Sequence, residues 1–118
     1  MLSPGRQGEE IAACYLELQG CAVLQRNVRH AEVEIDLLGR EGRCLVLVEV
    51  KLRTDGLVPA RDALSRRQEQ RLLRAAQALL ARHPWAEQVR IDLIAIDHER
   101  RAGRLQLEHW RGVLPRSW

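Results

Sequence analysis

The segment Leu45-Val46-Leu47-Val48-Glu49-Val50-Lys51 constrains the fold more than any other stretch of the chain. A half-buried strand alternates apolar with polar residues, so an almost unbroken aliphatic run reads as a β-strand buried on both faces. Such a strand is central in its sheet. It ends in a carboxylate and an amine two residues apart, and side chains two apart on a strand share a face. Lys51 is the only lysine among nineteen cationic side chains, the other eighteen being arginines. Arginine does not replace lysine where a compact charge of adjustable pKa is needed. The single lysine beside Glu49 therefore marks this strand end as constrained.

The flanking segments read in the order α-β-β-β-α-β-β, an α/β protein with a mixed sheet of about five strands. Ile11, Cys14, Tyr15 and Leu18 recur at helical spacing from about Arg6 to Gln19, and Gly20 is a natural stop. Ala22 to Arg26 is a short strand. Glu32 to Leu38 is a second, with Val33, Ile35 and Leu37 on one face and Glu32, Glu34 and Asp36 on the other. Gly39 to Arg43 is a hairpin turn into the third strand, Cys44 to Lys51. Leu52 to Leu64 is a loop. Ser65-Arg66-Arg67-Gln68 matches a capping box and opens a helix to about Arg82, with an apolar stripe of Leu72, Ala75, Ala76 and Leu79. Val89 to Ile96 and Arg104 to Trp110 are the last strands. The crossover between the third and fourth strands is long enough for parallel pairing.

At 118 residues the chain, 1–118, reads as one domain. A pI near 9.1 favours anionic partners. Cys14, Cys21 and Cys44 are odd in number and lack C-x-x-C spacing, so each reads as a small core residue and neither a disulfide framework nor structural zinc is expected. No apolar stretch reaches the length of a membrane span, and the expectation is a cytoplasmic protein without membrane contact.

Glu34 and Asp36 project together, as do Glu49 and Lys51. A turn centred on residues 41 and 42 brings the 34–36 region opposite the 47–49 region. Carboxylates so grouped repel, and without a cation at least one pKa rises. A hard divalent ion relieves the repulsion, polarises a phosphate and generates an attacking hydroxide, while lysine orients the water or stabilises the phosphate. The alternative reading of Glu49 and Lys51 is an ion pair at a strand end. Arg53 and Arg61 flank the strand end and are candidate phosphate contacts. Arg67, Arg71 and Arg74 share a helix face that could touch phosphates or simply be solvated. His30, His83, His98 and His109 show no metal-ligand spacing and read as surface or turn residues. Asp92, inside an aliphatic run, reads as the partner of a buried arginine. Trp110, Val113, Leu114 and Trp118 form an apolar tail that packs on the sheet or meets a second subunit.

Gly8-Glu9-Glu10-Ile11-Ala12-Ala13, Gly20, Arg26-Asn27, Glu34-Ile35-Asp36-Leu37-Leu38, Val48-Glu49-Val50-Lys51-Leu52-Arg53, Ala63-Leu64 and Arg90-Ile91-Asp92-Leu93-Ile94-Ala95 together resemble the YraN-like family of bacterial proteins. The resemblance spans about residues 5–97. That family is similar to the restriction-endonuclease-like, three-layer PD-(D/E)xK fold and to archaeal Holliday-junction resolvases. The resemblance implies Asp36 and Glu49 as metal ligands assisted by the carbonyl of Val50, Lys51 as the catalytic lysine, and Glu9 as an additional catalytic glutamate approaching the metal. It implies Mg2+, or Mn2+, as cofactor and DNA as partner, with branched DNA favoured and a homodimer required if two symmetric cuts are made. Val33 stands where the family has glycine, and Leu47 where it has phenylalanine. Two other readings remain: a nucleic-acid-binding module with little or no cleavage, and a protein-interaction domain whose acidic cluster is structural.

Overall fold

The computed structural model describes residues 4–55 and 64–115. Arg61 and Trp118 lie outside the described residues. Helix α1 (Pro4–Leu18) precedes strands β1 (Ala22–His30), β2 (Val33–Glu41) and β3 (Cys44–Thr54), then come helix α2 (Arg66–Ala81) and strands β4 (Gln88–Glu99) and β5 (Arg104–Leu114). The five strands form one mixed sheet in the order β1-β2-β3-β4-β5. Only β3 and β4 pair in parallel, joined by the crossover that carries α2, and the other neighbours are antiparallel. β3 is central, as its aliphatic run requires.

The helices cover opposite faces. Ala12, Ala13 and Leu16 of α1 pack on Leu37, Val46, Val48, Ile94 and Ile96. Leu72, Ala75, Ala76 and Leu79 of α2 pack on Ile35, Leu38, Leu45, Leu47 and Ile91. The α2 stripe is the one expected. The α1 stripe is only half so: Ile11 and Tyr15 pack partly against the cluster, but Cys14 is exposed and Leu18 is 85% exposed, while Ala12, Ala13 and Leu16 are buried. Small residues set this contact because the helix lies close to the sheet, with a Cβ built at Gly8 only 3.4 Å from the Cβ of Leu52. Ranking residues by bulk therefore misplaces the face by part of a turn. Of the three cysteines only Cys21 is fully buried, and Cys44 is half-buried.

The β2–β3 hairpin is tighter than expected. Glu41 pairs with Cys44 across a two-residue loop whose first position, Gly42, has φ +61, the glycine-first pattern that suits strand twist. Leu37 faces Val48, so Asp36 falls opposite Glu49, two residues further along β3 than expected. β2 also breaks its alternation. Val33 and Ile35 pack on the α2 side, but Leu37 packs on the α1 side. The switch falls at Asp36, opposite Asn27 in the β1 register, whose φ of +54 kinks its own strand.

Candidate active site at the end of β3

The β2–β3 ladder stops at Leu37 and Val48, although β1 and β2 stay paired as far as His30 and Val33. Beyond that last rung the two strands part. Asp36 fills the gap: its Oδ2 accepts a hydrogen bond from the Val50 backbone N–H at 2.8 Å. A side-chain oxygen thus takes the place a backbone carbonyl would occupy in a continued ladder. A strand residue directs its N–H and C=O to the same neighbour, so the Val50 carbonyl faces this gap too.

Glu49 follows the alternation of β3 onto the α2 side, where Leu45 and Leu47 lie. It is only 5% exposed, which removes the reading as a surface ion pair. Its Oε1 has no hydrogen-bond partner among the described residues. Its Oε2 is 3.5 Å from Gln68 Nε2. Burial, and then the neighbouring Asp36, push the Glu49 carboxyl up to about 8, against the pull of Lys51. Asp36 is pushed up to about 6, chiefly by burial and also by Glu9, against the Val50 N–H and Lys51. Lys51, half-buried, therefore acts electrostatically on both acids. So does exposed Glu34, with the opposite sign.

The acids are nonetheless not drawn into a closed cage. Among the described residues no three His, Cys, Asp or Glu side chains stand close enough to hold a metal ion. Glu9, half-buried on α1, influences Asp36 through space and lines a small hollow with Arg6, Glu10, Arg26 and Asn27. Two acids with a neighbouring backbone carbonyl still suit magnesium, which keeps several waters and uses one or two carboxylates together with substrate phosphates.

The arginines separate into different roles. Arg53 points along β3 into an ion pair with Asp97 at 2.6 Å, and both side chains are largely buried. That partner stands directly across the parallel register, so Arg53 is committed inside the fold. Arg67 is exposed and Arg71 half-buried. Both line a groove of about 360 Å³ between the start of β2 and α2, with Glu32, Glu34, Ser65 and Gln68. Arg71 also reaches Glu32 at 3.5 Å.

Two features escaped the sequence reading. Gln68 was accounted for by its capping role. His109 is not a surface residue: its side chain is 5% exposed, its Nε2 is 2.8 Å from Asp92 Oδ2 and its Nδ1 3.0 Å from the Tyr15 hydroxyl. Asp92, fully buried, accepts in addition from Arg90 Nε at 2.8 Å and Gly112 N at 2.9 Å. The expected pairing of Asp92 with an arginine is present.

The chain is similar to a UPF0102 protein of Beutenbergia cavernae, 41% identical over 111 residues and covering 92% of this chain and 93% of that one. It is also similar to a UPF0102 protein of Halorhodospira halophila, 48% identical over 98 residues and covering 80% and 78%. Among solved structures it resembles SfsA of Pyrococcus furiosus in complex with Ca2+, with TM-score 0.46 and 17% identity, over 91% of this chain and 62% of that one. A likeness of that size bears on neither the site nor the activity. No described helix is long and apolar enough to cross a membrane. The model of the uncharacterised protein family UPF0102 matches residues 8–96, and the chain belongs to that family.

Proposed function

We propose that the protein is a metal-dependent endonuclease that hydrolyses phosphodiester bonds of DNA, with structured or branched DNA as its substrate class. The observation that carries this reading is the pair of half-buried and buried acids, Asp36 and Glu49, held where β2 and β3 part, with Lys51 beside them. Two carboxyls driven up by burial, and Glu49 by Asp36 as well, are poorly accommodated without a cation. Asp36, Glu49 and the Val50 carbonyl would hold a Mg2+ or Mn2+ ion. When bound, that ion supplies charge to polarise the phosphate and to acidify a water. Lys51 offsets negative charge on the phosphate as a water oxygen bonds to phosphorus, the bridging P–O bond breaks and the leaving oxygen takes a proton. Glu9 approaches from α1, and Arg67 and Arg71 line a groove suited to the phosphate backbone. The preference for branched DNA rests on the resemblance to resolvases. Two symmetric cuts would need a two-fold dimer.

A second reading, nucleic-acid binding on the same scaffold with little or no cleavage, is favoured by the absence of a three-ligand group among the described residues. One titration separates them. Magnesium or manganese is added while thermal stability and cleavage of junction, flap, single-stranded and duplex DNA are followed. The nuclease reading expects cation-dependent cuts, lost in Asp36→Ala and Glu49→Ala. It expects Lys51→Ala to lower turnover by at least about 100-fold with DNA binding kept. Salt-sensitive DNA binding without cuts in any cation supports the second reading.

A further inference from the structure

We propose that Gln68 is a positioning residue of this site: its amide holds one oxygen of Glu49 so that the other is presented to a divalent cation. The inference rests on the metal-site reading above. Gln68 is the last residue of the capping box, and its backbone N donates to Ser65 Oγ at 3.1 Å. In a complete box the glutamine side chain would turn back to the Ser65 backbone N–H. Here it is directed to Glu49 instead, with Nε2 3.5 Å from Oε2. That contact is at the outer limit of hydrogen bonding, and such contacts are often long in unliganded sites and tighten in the loaded complex.

The placement follows from the helix period. Gln68 lies four residues before fully buried Leu72, on the stripe that continues through Ala75, Ala76 and Leu79. Residues four apart share a helix face, so the amide is pressed toward the sheet. Glu49 Oε1 is left without a partner among the described residues, an arrangement that is costly in a buried carboxylate unless something else supplies the missing contact. Gln68 also lines the groove shared by Glu34, Arg67 and Arg71. One side chain thus joins the buried acid to the accessible surface.

Gln68→Met tests the idea, because it keeps length and volume and leaves the backbone N–H to Ser65. Gln70→Met, at an exposed position of the same helix, is the control. Calorimetric titration with Mg2+ and Mn2+ is expected to show binding about 10–100-fold weaker in Gln68→Met than in wild type. Its cation-free melting temperature stays near the wild-type value, and any kcat on junction DNA falls with KM unchanged. Wild-type cation affinity in Gln68→Met overturns the proposal. If the wild type binds neither cation, the proposal and the nuclease reading fall together. If the wild type binds cation, Gln68→Met is defective and no DNA is cut, the positioning role stands and the nuclease reading falls.

Discussion

A carboxyl group buried as Glu49 is keeps its proton up to about pH 8 without a cation, and Asp36 beside it up to about pH 6. Both values lie above those of the unfolded chain, so between them the folded protein binds more protons. The stability linked to these groups is therefore full below their unfolded pKa values and is lost as pH rises through the folded ones. Thermal melts of cation-free protein from pH 5 to 8 should show a falling melting temperature, and magnesium should raise it more at pH 8 than at pH 5. Because the two acids interact, the fall spans both titrations rather than a single step. Glu49→Gln should raise cation-free stability at pH 8 by about 1–3 kcal/mol, the scale of a buried polar group lacking its partner. That gain should shrink toward pH 5. A melting temperature independent of pH would contradict this account. The shared face of Glu49 and Lys51 was legible in the sequence because β3 keeps a strand's period of two, whereas the placing of Asp36 was not, because β2 breaks that period there. The ion pair of Arg53 was not legible because Asp97 is 44 residues away, and that partner appears only once the parallel register is known.

The contact between β1 and β2 is set by a missing side chain. A Cβ at Gly39 would lie 2.7 Å from Cys21 Sγ and 3.2 Å from the Ala22 carbonyl oxygen. Gly39→Ala should therefore destabilise by about 1–3 kcal/mol, as overpacking does. Adding Cys21→Ala should recover part of that loss, because it removes the sulfur but leaves the carbonyl. A double-mutant cycle by denaturant melts would measure the coupling, and strict additivity would exclude the clash as the cause. The same dependence on small residues explains which elements were legible. α2 could be read to its face because leucines mark its stripe. α1 could be read only in part, because Gly8, Ala12 and Ala13 share the contact with Leu16 and give little bulk to count. β5 runs four residues past the expected end at Trp110, since Gly112, φ +60, absorbs a register shift and lets Leu114 pair with Ile91.

Across the whole molecule, Asp92 ties together elements that the sheet alone would leave loosely joined. Through His109 it reaches Tyr15 on α1. Through Arg90 it reaches Glu41 on β2, with Arg90 Nη1 3.3 Å from Glu41 Oε1. Such a network is costly to break from one side, because the Arg90 guanidinium and the His109 ring would lose a fully buried acceptor that nothing replaces. Asp92→Ala should lower stability by about 3–5 kcal/mol in chemical denaturation, while cation binding at Glu49 in the fraction that remains folded should be unchanged. A loss below about 0.5 kcal/mol would mean that water replaces the carboxylate without cost. Pattern alone revealed Asp92 as an arginine partner. The histidine and tyrosine were hidden because they belong to other elements, brought near only by the antiparallel pairing of β5 with β4 and the packing of α1.

At the Asp36–Val50 contact, an acid substitutes for a rung of peptide hydrogen bonding, and this ties chemistry to architecture at one position. A strand-forming residue such as valine at Asp36 would remove more than a charge. It would invite the two strands to zip one step further, and the gap between them would close from within.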